Sequence, residues 1–360
     1  MAVPFLHVQA RGTYRELGRA VGEAAREQVR AAVEYYEANF PALAGVTFAE
    51  AERVALAHLP FARRYLPQYV EELEGMAEAA GLPFVKLLVP NCAEELTTSV
   101  DGRPPLAAAA AAGACTAAAV AAGGRHVVGH NMDWYVVDLD KNVLFDLTAP
   151  DGTRIVTIAG VPYLPILGMN SHGIAYVGNS VHCTDGRPGL PNVFVRRWAL
   201  EAATLEEAVA RASHPQRARG SNHLLADRDG RLWDLETSAR AAVLTEHGES
   251  AAHTNHYVTA PMALFEGNHH EESRQRLAVA ERLLADGLAR GREPLQVVAE
   301  VLRSHEGAPD CICGHPGQEG EDPLTESVTV ASMLCDLDAM ELHACAGPPC
   351  ENPYRTFPVA

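Results

Sequence analysis

Residues 113–134 have the sequence GACTAAAVAAGGRHVVGHNMDW, in which a cysteine begins one apolar stretch and an aspartate lies near the end of the next. The Gly-Gly pair at 123–124 separates the two stretches, and such a pair forms a two-residue hairpin turn that needs positive φ. Pairing outward from this turn puts Cys115 opposite Met132. Asp133 is then one position beyond that partner, so we predict that a thiol and a carboxylate eighteen residues apart meet at one end of a hairpin.

A thiol beside a carboxylate suggests nucleophilic catalysis. An internal cysteine is only a few per cent ionised at neutral pH, because the reference pKa of a thiol is about 8.5. An N-terminal amine has a pKa of about 7.7 to 8.0, and a cut before Cys115 would put such an amine on the same residue as the thiol. The carbonyl group of Ala114 is the electrophile nearest to this thiol in the sequence. We therefore predict that the chain cuts itself between residues 114 and 115.

The composition is that of a folded, acidic protein. Hydrophobic residues make up 48% and charged residues 21% of the 360 residues, which suffices for a sizeable core. The formal net charge of −17 argues against nucleic acid and against an anionic membrane surface as partners. The N-terminus lacks a basic segment followed by an apolar run, and we find no apolar stretch of the roughly 18 residues that a membrane span needs.

The eight cysteines indicate a cellular compartment. In a chain of this length with no secretory signal, we interpret them as reduced thiols and not as a disulfide framework. We therefore expect a cytoplasmic protein.

The chain before Cys115 is predicted to be mainly helical. Apolar residues recur at helical spacing in three segments, residues 13–40, 48–58 and 66–80. Residues 101–105 (DGRPP) indicate a loop, and the small residues at 107–114 are interpreted as a flexible, exposed linker of the kind where chains are cut.

The chain after Cys115 changes to strand-like segments. We predict strands at 115–121, 126–134, 143–148, 153–158, 173–178, 221–226, 231–236, 241–245 and 327–335, with helices at 192–212, 270–286 and 294–303. Because strands come in runs and helices in blocks, the pattern favours an α+β fold with largely antiparallel sheets.

Four ordered motifs resemble those of one enzyme family. Cys115-Thr116 is similar to the family's cleavage site, and residues 129–134 (GHNMDW) are similar to its G-x-N-x-D-[FW] segment at the same distance from the cysteine. Residues 168–175 (GMNSHGIA) resemble its G-x-N-S-x-G-[IV]-A turn, and residues 253–256 (HTNH) resemble its H-T-N-H motif. The family is that of acyl-coenzyme A:isopenicillin N acyltransferase, also known as peptidase family C45, among the N-terminal nucleophile hydrolases.

The resemblance implies a fold and an order of events. The fold would be a four-layer αββα sandwich with a mainly helical N-terminal segment. Residues 1–114 and 115–360 would be two chains of one precursor that stay associated in one globular unit. Cys115 would be the nucleophile for self-cleavage and for substrate, Asp133 would bond near the free amine, and Asn255 would donate its side-chain amide to the oxyanion.

The resemblance also implies an activity. We expect hydrolysis of a linear amide of a small molecule through a thioester on Cys115. The alternative is transfer of the acyl group, from a coenzyme A thioester or an amide, to an amine.

This chain departs from the family's sequence pattern at two places. The best-known member of the family has an acidic residue and glycine before the cysteine, where this chain has Gly113-Ala114. That member also has an arginine shortly before the strand that matches residues 329–336, where this chain has Glu326-Ser327.

Four residues are predicted to bind substrate, namely Asn131, Trp134, Asn222 and His256. Asn131 is as well suited to satisfying backbone groups as to contacting substrate. Asn222 begins a predicted strand from which it would face the pocket. His256 has a structural alternative, in which it positions its neighbour Asn255.

No metal site and no cofactor are predicted. Cys311-Ile312-Cys313 with His315 is suggestive, but a C-x-C pair alone lacks the paired spacing of a structural zinc site, so we expect Cys313 to pack in the core or line the pocket. Two further classes of protein function stay open. One is a hydrolase in which a histidine activates an internal Cys115 without self-cleavage, and the other is a non-catalytic metal-binding protein.

Overall fold

The computed structural model describes residues 3, 5–98, 114–267, 271–317, 324 and 326–360. The loop predicted at residues 101–105 and nearly all of the linker predicted at 107–114 lie outside the described residues, as does Gly113.

The described strands form two sheets. Their bounds are β1 (Leu6–Arg11), β2 (Thr116–Ala122), β3 (Arg125–Tyr135), β4 (Asn142–Thr148), β5 (Arg154–Gly160), β6 (Gly168–Asn170), β7 (Ile174–Val177), β8 (Asn222–Asp227), β9 (Leu232–Thr237), β10 (Ala242–His247), β11 (Ser250–His253), β12 (Ser327–Asp336), β13 (Glu341–Ala346) and β14 (Arg355–Pro358). An eight-stranded sheet has the order β1-β4-β5-β6-β7-β8-β9-β10, and a six-stranded sheet has the order β11-β2-β3-β12-β13-β14. Neighbouring strands are antiparallel except for β1 and β4, which are parallel.

Helices cover the outer faces of both sheets. Their bounds are α1 (Tyr14–Ala24), α2 (Arg26–Ala44), α3 (Phe48–Tyr65), α4 (Pro67–Ala80), α5 (Phe84–Leu88), α6 (Ala93–Leu96), α7 (Asn192–Leu200), α8 (Leu205–Ala212), α9 (Ala260–Ala263), α10 (Glu271–Ala289) and α11 (Pro294–Leu302). Within the described residues, no helix has both the length and the apolar character that a membrane crossing requires.

Three apolar cores separate four layers. Alternate residues of a strand face opposite sides, so Phe145 of β4 packs against α1–α8 while its neighbour Leu144 faces the second sheet. In the six-stranded sheet, Val128 faces inward to the first sheet and Val127 faces outward to α10 and α11. The predicted αββα sandwich is therefore confirmed.

Glycines allow the first helices to pack closely. At Gly18 of α1, an added Cβ would lie 1.7 Å from the backbone oxygen of Glu72 in α4, and at Gly75 of α4 it would lie 2.2 Å from the oxygen of Arg15. Both separations are far below van der Waals contact, so this crossing requires residues without a side chain. Helices α1 and α4 position the covering layer on the eight-stranded sheet.

Two predicted helices are each divided into two. The helix predicted at residues 13–40 ends at Ala24 and restarts at Arg26, after Ala25 departs from helical geometry. The helix predicted at 192–212 is interrupted at 201–204, because the Thr204 side chain accepts a hydrogen bond from the backbone of Glu207 and begins a new helix.

Every predicted strand occurs within about two residues of its predicted bounds. Strands β1, β6, β11, β13 and β14 were not predicted, and each is six residues long or shorter. Strand β1 comes from the N-terminal portion but lies at the edge of the eight-stranded sheet beside β4, so the portions before and after residue 114 share one sheet.

Candidate active site

The hairpin of β2 and β3 has the predicted register. Gly123 and Gly124 form its turn with φ of 61° and 72°, and Thr116 pairs with Asn131. Cys115 immediately precedes β2 and therefore lies beside Met132, as the sequence predicted.

The one-residue offset puts the thiol and the carboxylate on opposite faces of the sheet. Cys115 shares the inner face with His130, Met132 and Trp134, and all four line a cavity of about 90 Å³. Asp133 belongs to the outer face, opposite Thr329 of β12. The link between the two predicted catalytic residues is through the backbone, since the sulfur of Cys115 lies 3.7 Å from the carbonyl oxygen of Asp133.

The Asp133 carboxyl group is deeply buried. Its side chain is 1% exposed, and its Oδ1 atom has no hydrogen-bond partner among the described residues. Burial raises the pKa of Asp133 to about 7, although a hydrogen bond from Thr329 and the charge of Arg276 act in the opposite direction. A carboxyl group with a pKa near neutrality is suited to accept and return a proton.

The thiol of Cys115 is protonated at neutral pH while the Ala114–Cys115 bond is intact. Burial and then the charge of Asp133 raise the pKa of Cys115 to about 12. Among the described residues, no histidine nitrogen lies within hydrogen-bond distance of this sulfur. This arrangement therefore lacks the feature required by a hydrolase in which a histidine activates an internal Cys115.

Arg276 of α10 is a site residue that the sequence analysis missed. One terminal nitrogen, Nη1, donates to the carbonyl oxygen of Ala114, to that of Cys115 at 3.0 Å and to the Thr116 hydroxyl at 3.4 Å. The guanidinium is 2% exposed and makes no ion pair with a carboxylate among the described residues. Because burial disfavours its charge, the pKa of Arg276 is lowered from its usual value.

A sequence signal for Arg276 did exist. The buried residues of α10 recur at helical spacing on one face, and Arg276 takes a core position among them: Ser273, Arg276, Leu277, Ala280 and Leu284. An arginine on the apolar face of a helix requires buried acceptors, which here are the carbonyl groups on either side of the predicted cleavage bond.

Asn255 adjoins Arg276. Its side-chain oxygen accepts from Arg276 Nη2 at 3.2 Å, and its Nδ2 donates to the Ser180 carbonyl oxygen at 3.0 Å. The amide group carries a second N–H, for which no acceptor occurs among the described residues. Asn255 therefore lies within one side-chain contact of the Ala114 carbonyl.

His256 is connected to Asn255 through the Ser273 hydroxyl group. The Ser273 hydroxyl lies 2.8 Å from His256 Nδ1 and also accepts from the backbone N–H of Asn255 at 2.8 Å. Burial lowers the pKa of His256 to about 4, so its ring is neutral at pH 7. It is not among the residues lining the cavity at Cys115, and its contacts match the structural alternative.

Two other predicted substrate contacts occupy structural positions. Asn131 lies on the outer face, where its amide donates to the carbonyl oxygens of Leu302 at 2.8 Å and Ile312 at 2.9 Å, so we correct its predicted role to that of a support for this segment. Asn222 is fully buried and bonded to Asn179 and Asp234, and it is not among the residues that line the cavity.

Trp134, which is predicted to bind substrate, lines the cavity. Its indole nitrogen donates to the Tyr36 hydroxyl at 3.0 Å, which fixes the ring between two adjoining cavities. The second cavity, of about 60 Å³, is lined mainly by apolar and aromatic side chains from the N-terminal helices and from residues 134–163.

The wall of the first cavity is largely apolar with one buried cation. Apolar residues include Leu164, Ile166, Leu167, Val193 and Val330. Arg196 of α7 is 3% exposed, donates to the Gly178 carbonyl oxygen at 2.8 Å, and has an Nε atom without a partner among the described residues. The cluster of possible metal ligands in the described structure lies instead at residues 305–350, away from this wall.

Comparison with known proteins identifies related enzymes. The family model for acyl-coenzyme A:6-aminopenicillanic acid acyl-transferase matches residues 120–349. The 40 kDa form of acyl-coenzyme A:6-aminopenicillanic-acid-acyltransferase from Emericella nidulans is 23% identical over 254 residues, which are 70% of this chain and 69% of that protein.

Two solved structures are also similar. Penicillin V acylase from Agrobacterium tumefaciens has a TM-score of 0.47 and 16% identity, over 64% of this chain and 82% of that chain. The C2A mutant of conjugated bile acid hydrolase from Clostridium perfringens has a TM-score of 0.43 and 11% identity, over 68% of this chain and 96% of that chain.

Proposed function

This chain belongs to the acyl-coenzyme A:6-aminopenicillanic acid acyl-transferase family, and we propose that it cuts itself before Cys115 and then uses that residue as an N-terminal thiol nucleophile on small-molecule amides. The observation that carries this proposal is the contact of the buried Arg276 guanidinium with the carbonyl oxygen of Ala114. A cation at that oxygen stabilises the negative charge that develops when the carbonyl is attacked.

The self-cleavage reaction begins with the neighbouring sulfur. The Cys115 sulfur attacks the carbonyl carbon of Ala114, and the thiol proton passes by way of solvent toward the nitrogen of Cys115, which is the leaving group. The oxygen of Ala114 becomes negative while in contact with Arg276. The bond to the Cys115 nitrogen then breaks as the nitrogen takes up a proton, which leaves a thioester and a free amine. Water hydrolyses the thioester to the Ala114 carboxylate and the Cys115 thiol.

The amine released by the cut supplies the base for substrate turnover. Its reference pKa of about 7.7 to 8.0 lies far below that of a buried thiol, so it accepts the thiol proton during attack on the substrate amide. The second N–H of Asn255 is available to the substrate oxyanion, next to Arg276. The amine product leaves with the proton, and water resolves the acyl-enzyme.

The walls beside Cys115 favour an apolar acyl group. Aliphatic side chains and the face of Trp134 surround the thiol, and the adjoining cavity extends this surface with Tyr36 and Phe40. Burying such a group contributes about 25 cal/mol for each Å² removed from water. The ionisable groups of this wall include Arg196 and the carboxyl groups of Glu94 and Asp138, so the free Arg196 Nε–H suits a neutral carbonyl oxygen of the substrate.

Acyl transfer is the second candidate. The relative from Emericella nidulans is named as an acyltransferase with coenzyme A, and a thioester on Cys115 is common to hydrolysis and transfer. We propose hydrolysis as the main reaction, because the acidic chain lacks the arginine expected before β12 for an anionic donor.

The test uses a series of amides that share the same amine and differ in the size of their apolar acyl group. Hydrolysis should favour apolar acyl groups, and Asn255→Ala should lower kcat/KM about 10²- to 10³-fold with an unchanged circular dichroism spectrum. Raising the amine concentration measures the partition between hydrolysis and transfer. Turnover that survives Cys115→Ala would refute the nucleophile, and unchanged turnover in Asn255→Ala would remove that residue from the oxyanion role.

A further inference from the structure

Four side chains with metal-binding atoms converge outside the Cys115 cavity. His305 follows α11, Cys313 and His315 precede β12, and Cys350 lies between β13 and β14. One ligand atom from each lies within 4.8 Å of the corresponding atoms of the others. We propose that these four residues bind one Zn²⁺ ion in a structural Cys₂His₂ site.

Four of the six distances between the ligand atoms lie close to those around a tetrahedral ion, and the other two are at most 4.8 Å. Zinc bonds of about 2.3 Å to sulfur and 2.0–2.1 Å to nitrogen put two sulfurs about 3.8 Å apart, two nitrogens about 3.3 Å apart and a sulfur and a nitrogen about 3.6 Å apart. The observed separations are 3.6 Å for Cys313 Sγ to Cys350 Sγ and 3.0 Å for His305 Nε2 to His315 Nε2. His315 Nε2 lies 3.8 Å from Cys313 Sγ and 3.1 Å from Cys350 Sγ.

The chemistry of this set favours zinc. Two thiolates and two neutral imidazoles are the ligands of structural zinc sites, and two thiolates balance the charge of the ion. Both cysteines release a proton when they bind. His315 Nδ1 lies 3.4 Å from Glu351, which matches the carboxylate that commonly orients a metal-bound histidine. His305 and Cys350 are exposed, so the ion has a path of entry.

The spacing of the four ligands along the sequence does not match a known zinc motif, so the sequence analysis did not predict this site. The C-x-C pair is not the ligand pair, because Cys311 turns its thiol to the carbonyl oxygen of Cys313. Besides His315, the partners of Cys313 come from the chain just after α11 and from a turn thirty-seven residues later.

The segment held by this ion supports the active site. Backbone carbonyls of Leu302 and Ile312 accept from Asn131, and Gly314 forms backbone and side-chain hydrogen bonds with Thr329. Thr329 is the strand partner of Asp133. We infer that zinc fixes the segment from residue 303 to 317 against the outer face of the hairpin.

The test uses the full-length protein and does not depend on its activity. Metal analysis of purified protein should find about one zinc per chain. After chelation, Co²⁺ should restore thermal stability and give the visible absorption of a tetrahedral thiolate site, whereas Mg²⁺ should give neither effect. Glu351→Gln should weaken zinc affinity about 10- to 100-fold, and Cys350→Ser should weaken it further.

Cys311→Ser is the matched control, since it removes a thiol from the same segment outside the cluster and should keep the metal. Three results would overturn the proposal. One is wild-type protein that neither contains nor binds zinc and has free thiols. Another is a Cys313–Cys350 disulfide in place of the metal. The third is zinc that remains bound with equal affinity in Cys350→Ser.

Discussion

Two buried arginines show how the helical layer differs from the Cys115 end of the hairpin. Arg197 of α7 is fully buried, with ion pairs of 3.1 Å to Glu72 and 2.8 Å to Glu201, and its guanidinium lies over the ring of Tyr69. Arg276 is almost as deeply buried, but its partners are neutral oxygens.

Their pKa shifts differ for the same reason. Burial alone lowers the pKa of an arginine, but the charges of Glu201 and Glu72 outweigh it at Arg197, whose pKa is raised. At Arg276 burial prevails, and the pKa is lowered. The first arginine has its charge balanced in the resting structure. The second makes no ion pair among the described residues and contacts neutral oxygens, so it is available to stabilise negative charge that develops on the Ala114 oxygen.

The largest effect is expected at Arg197. In a Cys115→Ala background, which keeps the chain uncut, Arg197→Met should lower the free energy of unfolding by about 3–5 kcal/mol, because it leaves two buried carboxylates unpaired. Urea denaturation measures this difference. Arg19→Met, at an exposed pair with Glu23, is the control and should change little. Equal stability of the Arg197→Met variant and its background would show that the ion pairs are not integral to the helical layer.

Arg276→Gln should act on the rate of cutting. We expect self-cleavage to slow about 10²- to 10³-fold, because the variant removes the charged donor to the Ala114 oxygen. A cell-free translation time course follows the uncut chain from its synthesis. Arg282→Gln, on the exposed face of the same helix, should cut at the wild-type rate. If the two variants cut equally fast, Arg276 does not stabilise the oxyanion.

Asp133 should show its effect as a pH dependence of stability. Its pKa is about 7 in the folded chain and about 3.9 when unfolded, so the folded state binds more protons between these values. The free energy of unfolding should therefore fall as pH rises from about 4 to 7, by up to about 1.4 kcal/mol per unit. Asp133→Asn in the uncut background should lose this contribution, so its stability relative to that background should increase with pH. Parallel stability–pH curves would contradict the shifted pKa.

The fold was largely predictable because its signals are local. The Gly-Gly turn fixed the hairpin register, and alternation predicted nine of the strands from residue 115 to 336. Short edge strands such as β14 (Arg355–Pro358) have too few residues to show alternation. Only the structure shows that β1 lies beside β4, since this pairing joins segments more than 130 residues apart.

The site was predictable only in part. Cys115, Asp133 and Asn255 were each selected from a local sequence motif, and Arg276 contacts both Asn255 and the backbone of Cys115. Arg276 was missed because its partners are backbone carbonyls, which have no sequence signature. Neighbouring residues of a strand face opposite sides of the sheet, so a single position decides which side a residue occupies. Asn131 was misassigned because its side chain lies on the outer face, where it contacts the segment from residue 302 to 312.

Mass spectrometry of the purified, active protein beside its Cys115→Ala variant tests the central claim most directly. We predict two chains for the wild type, the second beginning with Cys115, and a single uncut chain of 38.6 kDa for the variant. A wild-type preparation that is fully active as one unbroken chain of 360 residues would contradict the claim.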